Sequence, residues 1–472
     1  MSDIVERLRE VLGPRAVLTG DALHADYTHD EALGVDPVTP LAVVLPSHTA
    51  EVAETLRLCD ERRVPVVARG SGTGLSGGAL PRADGIVVAF DKMTGILEID
   101  TDNHAAVVQP GVTLEQLDAA LAPLGLIYPV FPGESSASLG GNVGTNAGGM
   151  RAIRYGVTRH HVLGLEAVLA TGEVLRTGGK FVKSSSGYDL TQLLIGSEGT
   201  LAVVTEVTVK LHPRLSHRAT VLAPFGTLDE VTRAVPRLVA SGVGPVVLEY
   251  LDLFTMASVT ASAGLDLGVP ESVRDAALAY LVVVLESNHE DRLEADVEAV
   301  AVRLGAMGAL DVYVLPPHAG ADLIAAREKA FFVAKAAGAD DIIDAVVPRA
   351  AIAGYLATVA TLADEHGALV AGCGHVGDGN VHLSVFQPDA ARRAALLRAI
   401  FAAAVEVGGA VSGEHGIGTA KQAYFLDLED PVKVDLMRRI KAAFDPHAIL
   451  GPARLVAEEA GAGDATATRG AT

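Results

Sequence analysis

Short apolar runs separated by glycine clusters fill the chain between residues 41 and 212. Several runs are rich in β-branched residues and have the length of strands, and two intervening segments place apolar residues at helical spacing. The predicted strands are 41–45, 65–68, 86–90, 105–109 and 201–211, and the predicted helices are 49–62 and 114–124. This mixture predicts an α+β domain.

After Pro213 the pattern changes to longer helices that alternate with strands. We expect these helices to lie on one face of a mixed or antiparallel sheet. Residues 389–450 are predicted to be mostly helical and to pack back across the domain boundary. The remaining predicted strands are 246–251, 280–286, 311–315, 368–373 and 381–386, and the helices are 291–304 and 349–366.

The changes in the pattern of apolar and polar residues along the chain predict three folded units and a tail. The units are residues 36–215, 216–388 and 389–455. From residue 456 to 472 the chain has no apolar periodicity, so this tail is predicted to be disordered.

Composition excludes several classes of protein. The chain has 472 residues, enough for two or three domains, and its 37 basic and 58 acidic residues give a net charge of -21, which disfavours nucleic acid and anionic membranes as partners. Only Cys59 and Cys373 are present, so no disulfide framework is expected and a reducing cytoplasm fits. No apolar stretch is long enough for a transmembrane helix, and the first residues do not have the pattern of a secretion signal.

The richest chemical pattern runs from His375 to His382 and continues at Glu414 and His415. The two flanking strands and the Gly-Asp-Gly-Asn turn between them predict a hairpin with one histidine on each arm. A glycine-rich loop, 412–418, can bring Glu414 close to these histidines.

Two imidazoles and a carboxylate are typical ligands of an open zinc site, with manganese or iron as alternatives. His415 is left for proton transfer. The competing interpretation is that these are ordinary core or surface histidines, since the chain has 15.

A first glycine loop, 69–78, contains Gly72-x-Gly74-x-x-Gly77, and Asp91 follows at a distance that invites a dinucleotide-binding interpretation. The seven residues between Gly78 and the strand at Ile86 cannot form a crossover helix, so we predict that the loop joins two strands directly. Its backbone N–H groups and hydroxyls still suit a phosphate or pyrophosphate.

Two further loops, 132–149 and 196–205, are also rich in glycine. The second loop has little side-chain bulk, which admits a large flat ligand. Tight turns are the alternative explanation, but three such loops in one domain favour a ligand.

These three loops resemble the FAD-binding domain of the vanillyl-alcohol oxidase and p-cresol methylhydroxylase superfamily. The histidine pattern with Glu414 and His415 resembles its D-2-hydroxy-acid dehydrogenase branch, whose members act on glycolate, D-lactate or D-2-hydroxyglutarate. The resemblance covers roughly residues 36–455. It implies a p-cresol methylhydroxylase-type (PCMH-type) FAD-binding domain, 36–215, and a ferredoxin-like α+β substrate or cap domain, 216–388. A C-terminal helical segment, 389–455, then completes the active site.

The resemblance also implies which residues hold FAD. The first loop would bind the pyrophosphate, and the other two would line the cofactor, mostly through backbone groups. Because the first loop has no histidine or cysteine for a covalent link, noncovalent FAD is expected. The implied cofactor residues are Arg69, Gly70, Ser71, Gly72, Thr73, Gly74, Ser76, Gly77, Gly78, Pro132, Gly133, Ser138, Gly140, Gly141, Asn142, Thr145, Gly148, Gly149, Glu198, Gly199, Thr200 and Val204.

The chemistry of these residues and the resemblance to the family lead to the same hypothesis for the reaction. His375, His382 and Glu414 hold a divalent metal that chelates the carboxylate and 2-hydroxyl of the substrate. His415 accepts the hydroxyl proton as general base while the C2 hydride passes to flavin N5, which gives a 2-oxo acid. Arg327 resembles the carboxylate-binding arginine of the family, and Arg349 is a second candidate.

The chain also departs from the family pattern. Residues 444–454 resemble a segment that usually ends Asn-Pro-Gly-Lys, and here Gly451, Ala453 and Arg454 differ. The 2-hydroxyglutarate branch has an asparagine where Ser384 stands and a lysine near Ile342, so glycolate or D-lactate is favoured.

Other functions and partners stay open at this point. A metal-dependent hydrolase would use the same histidines, and a flavin-binding redox subunit would lack substrate chemistry of its own. The sequence leaves the electron acceptor open among a quinone, a cytochrome, a partner redox subunit and oxygen, and a homodimer is compatible with the pattern. The expected location is the cytoplasm, with a position at the membrane surface through the acceptor as an alternative.

Overall fold

The computed structural model of the chain describes residues 2–456. All but the first residue of the tail predicted to be disordered, 456–472, therefore lies outside the described residues. The strands are β1 (Val17–Leu18), β2 (Ala42–Val44), β3 (Val66–Arg69), β4 (Ile86–Ala89), β5 (Ile96–Asp100), β6 (Ala105–Val108), β7 (Leu126–Ile127), β8 (Val162–Val168), β9 (Val174–Gly178), β10 (Val203–Lys210), β11 (His212–Pro213), β12 (His217–Phe225), β13 (Val247–Asp252), β14 (Ala279–Ser287), β15 (Tyr313–Leu315), β16 (Asp341–Val346), β17 (Leu369–Gly374) and β18 (Asn380–Phe386).

Helices connect and cover these strands. They are α1 (Ser2–Leu12), α2 (Thr49–Arg62), α3 (Leu114–Leu121), α4 (Leu139–Thr145), α5 (Ala152–Tyr155), α6 (Leu190–Leu194), α7 (Leu228–Ala240), α8 (Leu253–Ala263), α9 (Glu271–Ala276), α10 (Glu290–Ala306), α11 (Pro317–Glu328), α12 (Ala330–Ala336), α13 (Ile352–His366), α14 (Ala390–Glu406), α15 (Gln422–Leu428) and α16 (Pro431–Phe444).

The first half of the chain contains a four-stranded sheet in the order β1-β2-β4-β3 and a five-stranded antiparallel sheet in the order β5-β6-β10-β8-β9. Apolar side chains of α2, among them Val52 and Leu56, share one core with Val88 of the first sheet and Val203 of the second. Helix α2 therefore joins the two sheets through a common core. This arrangement agrees with the α+β domain that the apolar pattern predicts.

The first glycine loop joins β3 directly to β4, as predicted, with no helix between them. The two strands are nevertheless parallel, with Val67 paired to Val87. The 16 residues from 70 to 85 are long enough to return the chain to the start of the next strand without a helix. The connection therefore runs back along the sheet, and its last residue, Gly85, lies beside Pro65 at the start of β3. Its first residues, 70–76, line a cavity.

The second half contains a seven-stranded antiparallel sheet in the order β15-β12-β14-β13-β17-β18-β16. The prediction that its helices lie on one face is wrong. Leu281 and Val283 of β14 enter a core with α7, α10, α13 and α14, whereas Val282 and Val284 enter a second core with α8 and α11. Both faces of β14 are apolar, so both need a covering layer. Met150 from the first half also belongs to the second core.

The C-terminal segment returns to the first sheet, as expected. Leu450 forms a parallel bridge with Val66, and the buried Arg454 side chain donates a 2.8 Å hydrogen bond to the carbonyl of Gly78. Arg454 stands where the family pattern differs, and here it fixes the end of the first glycine loop. Among the described residues, no helix combines the length and apolar composition needed to cross a bilayer.

Candidate active site

The hairpin of β17 and β18 brings the predicted metal ligands together. Cys373 pairs with His382 across the hairpin, and His375 follows β17 by one residue. Oε1 of Glu414 lies 3.1 Å from Nε2 of His375 and 3.2 Å from Nε2 of His382. Three ligand atoms therefore converge on one point, in an arrangement that could hold a metal ion.

A second buried carboxylate lies behind His375. Oε1 of Glu249 is 2.5 Å from Nδ1 of His375, and Oε2 accepts a 2.7 Å hydrogen bond from Nε of Arg327. Burial opposes a charged His375, but Glu249 and Glu414 on its two sides raise its pKa to about 10. The His375 ring is therefore protonated, and its positive charge balances the negative charges of the two carboxylates. A divalent cation would balance the same charges and would displace that proton, so the donor set fits a metal.

Asp344 organises the loop that carries Glu414 and His415. Its Oδ2 accepts hydrogen bonds of 3.1, 3.0 and 2.8 Å from the backbone N–H groups of Gly413, Glu414 and His415. Burial would raise the pKa of Asp344, but electrostatic interactions with the neighbouring His415 and Lys421 side chains hold it well below its usual range. The carboxylate therefore stays charged and fixes the loop from inside the core.

His415 stacks on His382, with 4.9 Å between ring centroids and 12° between ring planes. Burial lowers the pKa of His415 to about 3, and the adjacent His382 works in the same direction. Its Nδ1 lies 4.0 Å from Oδ2 of Asp344 and forms no hydrogen bond with any described residue. The ring is therefore neutral.

Two cavities meet at this cluster. The first, with about 850 Å³ of unfilled space, lies between the seven-stranded sheet and helices α8 and α12. The second, with about 1310 Å³, lies among the glycine loops of the first half. Leu75, Pro132, Glu414 and His415 line both cavities.

Most of the residues predicted to bind the cofactor line the second cavity. They are Gly70, Ser71, Gly72, Thr73, Gly74, Ser76, Gly78, Pro132, Ser138, Gly140, Gly141, Asn142, Thr145, Glu198, Gly199 and Val204. Arg69, Gly77, Gly133, Gly148, Gly149 and Thr200 do not line it.

Several residues of the second group have structural contacts instead. The buried Arg69 guanidinium lies beneath the first loop and donates a 2.6 Å hydrogen bond to the carbonyl of His29. The N–H of Gly149 donates a 2.5 Å hydrogen bond to Oε2 of Glu414, the oxygen that does not face the histidines. Gly133 lines the first cavity. These residues therefore support the walls of the two cavities, although none of them lines the second cavity.

The second cavity has the form of a cradle for an extended, flat ligand. A Cβ added at Gly78 or Gly144 would meet no protein atom within 4 Å, so open space lies beside both glycines. Oγ of Ser138 accepts 3.3 Å hydrogen bonds from the N–H groups of Ser71 and Gly141, which joins the first loop to α4. The size, the small side chains and the exposed backbone fit a dinucleotide cofactor.

Comparison with known proteins identifies the family. Residues 40–178 match the model described as "FAD binding domain", and residues 214–455 match "FAD linked oxidases, C-terminal domain". The chain belongs to the FAD-linked oxidases. An uncharacterised FAD-linked oxidoreductase of Mycobacterium tuberculosis is 56% identical over 452 residues, 96% of this chain and 98% of that protein.

Two other comparisons bear on activity and fold. D-lactate dehydrogenase of Archaeoglobus fulgidus is 39% identical over 416 residues, which cover 88% of this chain and 91% of that enzyme. The solved structure of p-cresol methylhydroxylase superposes with a TM-score of 0.82 at 19% identity and covers 97% of both chains. The predicted PCMH-type α+β fold is confirmed, and the FAD-linked oxidase is an enzyme.

The two predicted arginines of this FAD-linked oxidase lie in different surroundings. Arg327 is buried at the end of α11, lines the first cavity and pairs with Glu249. Arg349 is exposed, begins a short 3₁₀ helix and lines neither cavity. Because it is not brought together with the other predicted residues, we do not include Arg349 in the site.

Glu198 has a different contact from the one expected. It lines the second cavity, but its carboxylate accepts 2.7 Å hydrogen bonds from the N–H groups of Ile417 and Gly418. The side chain therefore ties the third glycine loop to the loop that carries Glu414. It connects the second cavity of the FAD-linked oxidase with the histidine cluster.

Sequence reasoning missed Glu249 and Asp344. Each is a fully buried carboxylate with apolar neighbours on both sides in its strand, Glu249 in β13 and Asp344 in β16. A charged residue at such a position is costly unless it is paired, so the interruption itself was a usable signal. The partners could not be read from the sequence, because they come from distant segments.

Proposed function

We propose that this FAD-linked oxidase oxidises a D-2-hydroxy acid to the corresponding 2-oxo acid. The observation that carries the proposal is that Glu414 and His415 line both cavities. A substrate in the first cavity would therefore contact the histidine cluster and the cofactor cavity at the same place. The relative named D-lactate dehydrogenase supports this substrate class.

The second cavity would hold FAD without a covalent bond. Among its described lining residues there is no cysteine, and His415 is the one histidine, already placed in the cluster. When bound, FAD supplies the acceptor for the two electrons that leave the substrate. The glycine loops bind it through backbone N–H groups, and Glu198 holds the loop after His415 against it.

His375, His382 and Glu414 would hold a divalent metal, with zinc as the first choice and manganese or iron as alternatives. When bound, the metal supplies a Lewis acid for the carboxylate and hydroxyl oxygens of the substrate. Glu249 orients His375 so that Nε2 faces Glu414. Gly149 holds the second oxygen of Glu414 in place.

Arg327 would bind the substrate carboxylate. Its Nε and Nη2 each lie 2.7 Å from Oε2 of Glu249. Because the guanidinium lines the first cavity, an anionic substrate there would meet a fixed positive charge. Glu249 thus orients both a metal ligand and the arginine.

His415 would remove the proton of the substrate hydroxyl. Its ring is neutral because burial lowers its pKa, and it lies beside His382 at the junction of the cavities. Asp344 fixes the backbone of His415 through a 2.8 Å hydrogen bond, and the ring stacks on His382. A fixed neutral imidazole at the reacting hydroxyl is the arrangement that general base catalysis needs.

Each of the three predicted units would have its own role in the reaction. Residues 36–215 would bind FAD, 216–388 would form the substrate domain, and 389–455 would complete the site with the 412–418 loop. Reduced cofactor would pass its electrons to a quinone, a cytochrome or a partner redox subunit. Family membership favours this oxidation over the hydrolase alternative.

The test is anaerobic mixing of the FAD-loaded enzyme with D- and L-2-hydroxy acids, followed by flavin absorbance, with metal analysis of the same sample. The proposal expects bleaching by D acids, far slower bleaching by their L enantiomers, and about one bound divalent ion per chain. Failure of every 2-hydroxy acid to bleach the flavin would contradict it.

A further inference from the structure

The wall of the first cavity is made by two adjacent rows of the seven-stranded sheet. Asp344, His382 and Cys373 form one row of paired residues across β16, β18 and β17. The next row on the same face is Ile342, Ser384 and Ala371, each two residues away from the first row on its own strand. Two residues of a strand span about 7 Å, so this row lies one such step beyond the histidine cluster.

The outer row carries no charge, and all three of its residues line the cavity. It ends near Phe254, whose ring centroid is 6.0 Å from that of Phe386, the following position on the same face of β18. Helices α8 and α12 complete the wall with further apolar side chains. The cavity therefore extends away from the polar cluster between apolar surfaces.

Part of this apolar surface is still in contact with water. Phe254 lines the cavity and keeps 43% of its surface exposed. Val259, Phe331 and Val333 line the same space. A ligand that reaches this end of the cavity would remove apolar surface from water, and a three-carbon acid held at the cluster would leave most of it uncovered.

The charges of the lining oppose a second carboxylate on the substrate. Among the described lining residues, Arg327 is the one cation other than the histidines of the cluster, and the proposed function uses it for the first carboxylate. Glu328 adds an acidic side chain to the same wall. An additional substrate carboxylate would be desolvated without a positive partner.

We infer that the preferred substrate is a D-2-hydroxy monocarboxylic acid with an apolar side chain of several carbons. The inference rests on the proposed function and specifies its substrate. The carboxylate and hydroxyl remain at the cluster, and the side chain lies along Ile342 and Ala371 towards Phe254. This preference differs from the glycolate or D-lactate that the sequence favours.

The test compares D-2-hydroxyhexanoate, D-lactate and D-2-hydroxyglutarate by anaerobic stopped-flow reduction of the FAD-loaded enzyme. The second-order rate constant of reduction should be at least about tenfold higher for D-2-hydroxyhexanoate than for D-lactate. It should be at least about 100-fold higher than for D-2-hydroxyglutarate. An equal or higher constant for D-lactate would overturn the inference and leave the proposed function standing. If none of the three acids reduces the flavin, the proposed function fails as well.

Two substitutions locate the preference in the outer row. Ile342→Lys places a cation there and should raise the D-2-hydroxyglutarate to D-2-hydroxyhexanoate ratio by about tenfold or more. Ile342→Met, of similar volume and without charge, should keep the wild-type order. An unchanged ratio in an Ile342→Lys protein that retains FAD would contradict the assignment.

If Ile342→Lys does not retain FAD, Phe254→Ala tests the same surface. It should lower the D-2-hydroxyhexanoate to D-lactate ratio at least about threefold, because it removes apolar contact from the longer acid. An unchanged ratio would overturn the placement of the side chain.

Discussion

Nδ1 of His375 lies 2.5 Å from Oε1 of Glu249, and both side chains are buried. This contact fixes the orientation of the imidazole, because the ring has one nitrogen for Glu249 and one for Glu414. Glu249 comes from β13, in the middle of the seven-stranded sheet, where the surrounding core prevents it from moving. The geometry of the candidate metal site therefore depends on a residue that is not itself a ligand.

Glu249→Gln should weaken divalent metal binding by about 10- to 100-fold while FAD is retained. The amide keeps the size of the side chain but removes the charge that His375 and Arg327 share. The measurement is a competition titration of apoprotein with zinc and a chelator, together with the flavin absorbance spectrum.

His375→Ala serves as the comparison, since it removes a proposed ligand outright and should abolish stoichiometric metal while FAD stays bound. Wild-type zinc affinity in Glu249→Gln would refute the orienting role, and unchanged metal content in His375→Ala would refute the ligand.

Glu198→Ala should loosen the loop after His415. The Glu198 carboxylate accepts two 2.7 Å hydrogen bonds from that loop, and the N–H groups of Ile417 and Gly418 would lose their acceptor. We expect a loss of about 1–3 kcal/mol in local stability. Hydrogen exchange at these two amides should become faster, whereas exchange in the core strand β14 should change little. Equal protection in both proteins would show that another group holds the loop.

Gly144→Val should reduce FAD affinity about tenfold or more, the effect of 1–3 kcal/mol of steric strain. Gly144 lies in α4 and lines the second cavity, and a Cβ there would meet no protein atom within 4 Å. The added side chain would therefore occupy cofactor space and not the protein core. Gly354→Val in α13, an exposed helical glycine with the same open surroundings, is the matched control. Fluorescence titration of the apoproteins with FAD gives the affinities, and similar values for both variants would contradict the placement of the cofactor.

The sequence predicts well the parts of this molecule that depend on local pattern. Helix 49–62 has the predicted bounds, and the hairpin of β17 and β18 agrees with the alternation of its apolar residues. His375, His382 and Glu414 converge as expected, since glycine-rich segments allow close approach.

Features that depend on distant pairing were harder to predict. The apolar pattern of β14 does not say whether one face or both are covered, and the helices lie on both. The hydrogen bonds of Asp344 to Gly413 and His415 connect positions 69 and 71 residues apart, a pairing that no local pattern predicts. Arg349 shows the converse, because a charged residue near a predicted site is exposed once the chain is folded.

Stability should fall as the pH decreases from about 6.5 towards 4, in part because of His161. This residue is 2% exposed, and burial, with His212 nearby, lowers its pKa to about 4. An unfolded histidine has a pKa of about 6.5, so the unfolded chain takes up the proton first and the folded state loses stability across that interval. Above pH 6.5 the contribution is fully present.

His161→Gln keeps a donor for the carbonyl of Tyr155, which lies 2.9 Å from Nε2 of His161, and removes the titration. The loss of unfolding free energy between pH 7.5 and pH 5 should be about 2 kcal/mol smaller in this variant. Urea denaturation at the two values measures the difference. Parallel pH profiles for the two proteins would exclude His161 as a source of acid sensitivity.

His415→Ala should retain both FAD and metal but reduce the flavin about 10²- to 10⁴-fold more slowly with a D-2-hydroxy acid, the usual contribution of a general base. The ligand atoms of the proposed metal site belong to other residues, and Asp344 holds the loop through backbone N–H groups that alanine preserves. The substitution should therefore lower the rate constant of flavin reduction and leave the binding of FAD and of the metal ion unchanged. Single-turnover reduction, with metal and flavin contents measured on the same sample, separates these effects. Rapid bleaching by a fully loaded His415→Ala enzyme would exclude His415 as the base and would leave the proton to another group of the cluster.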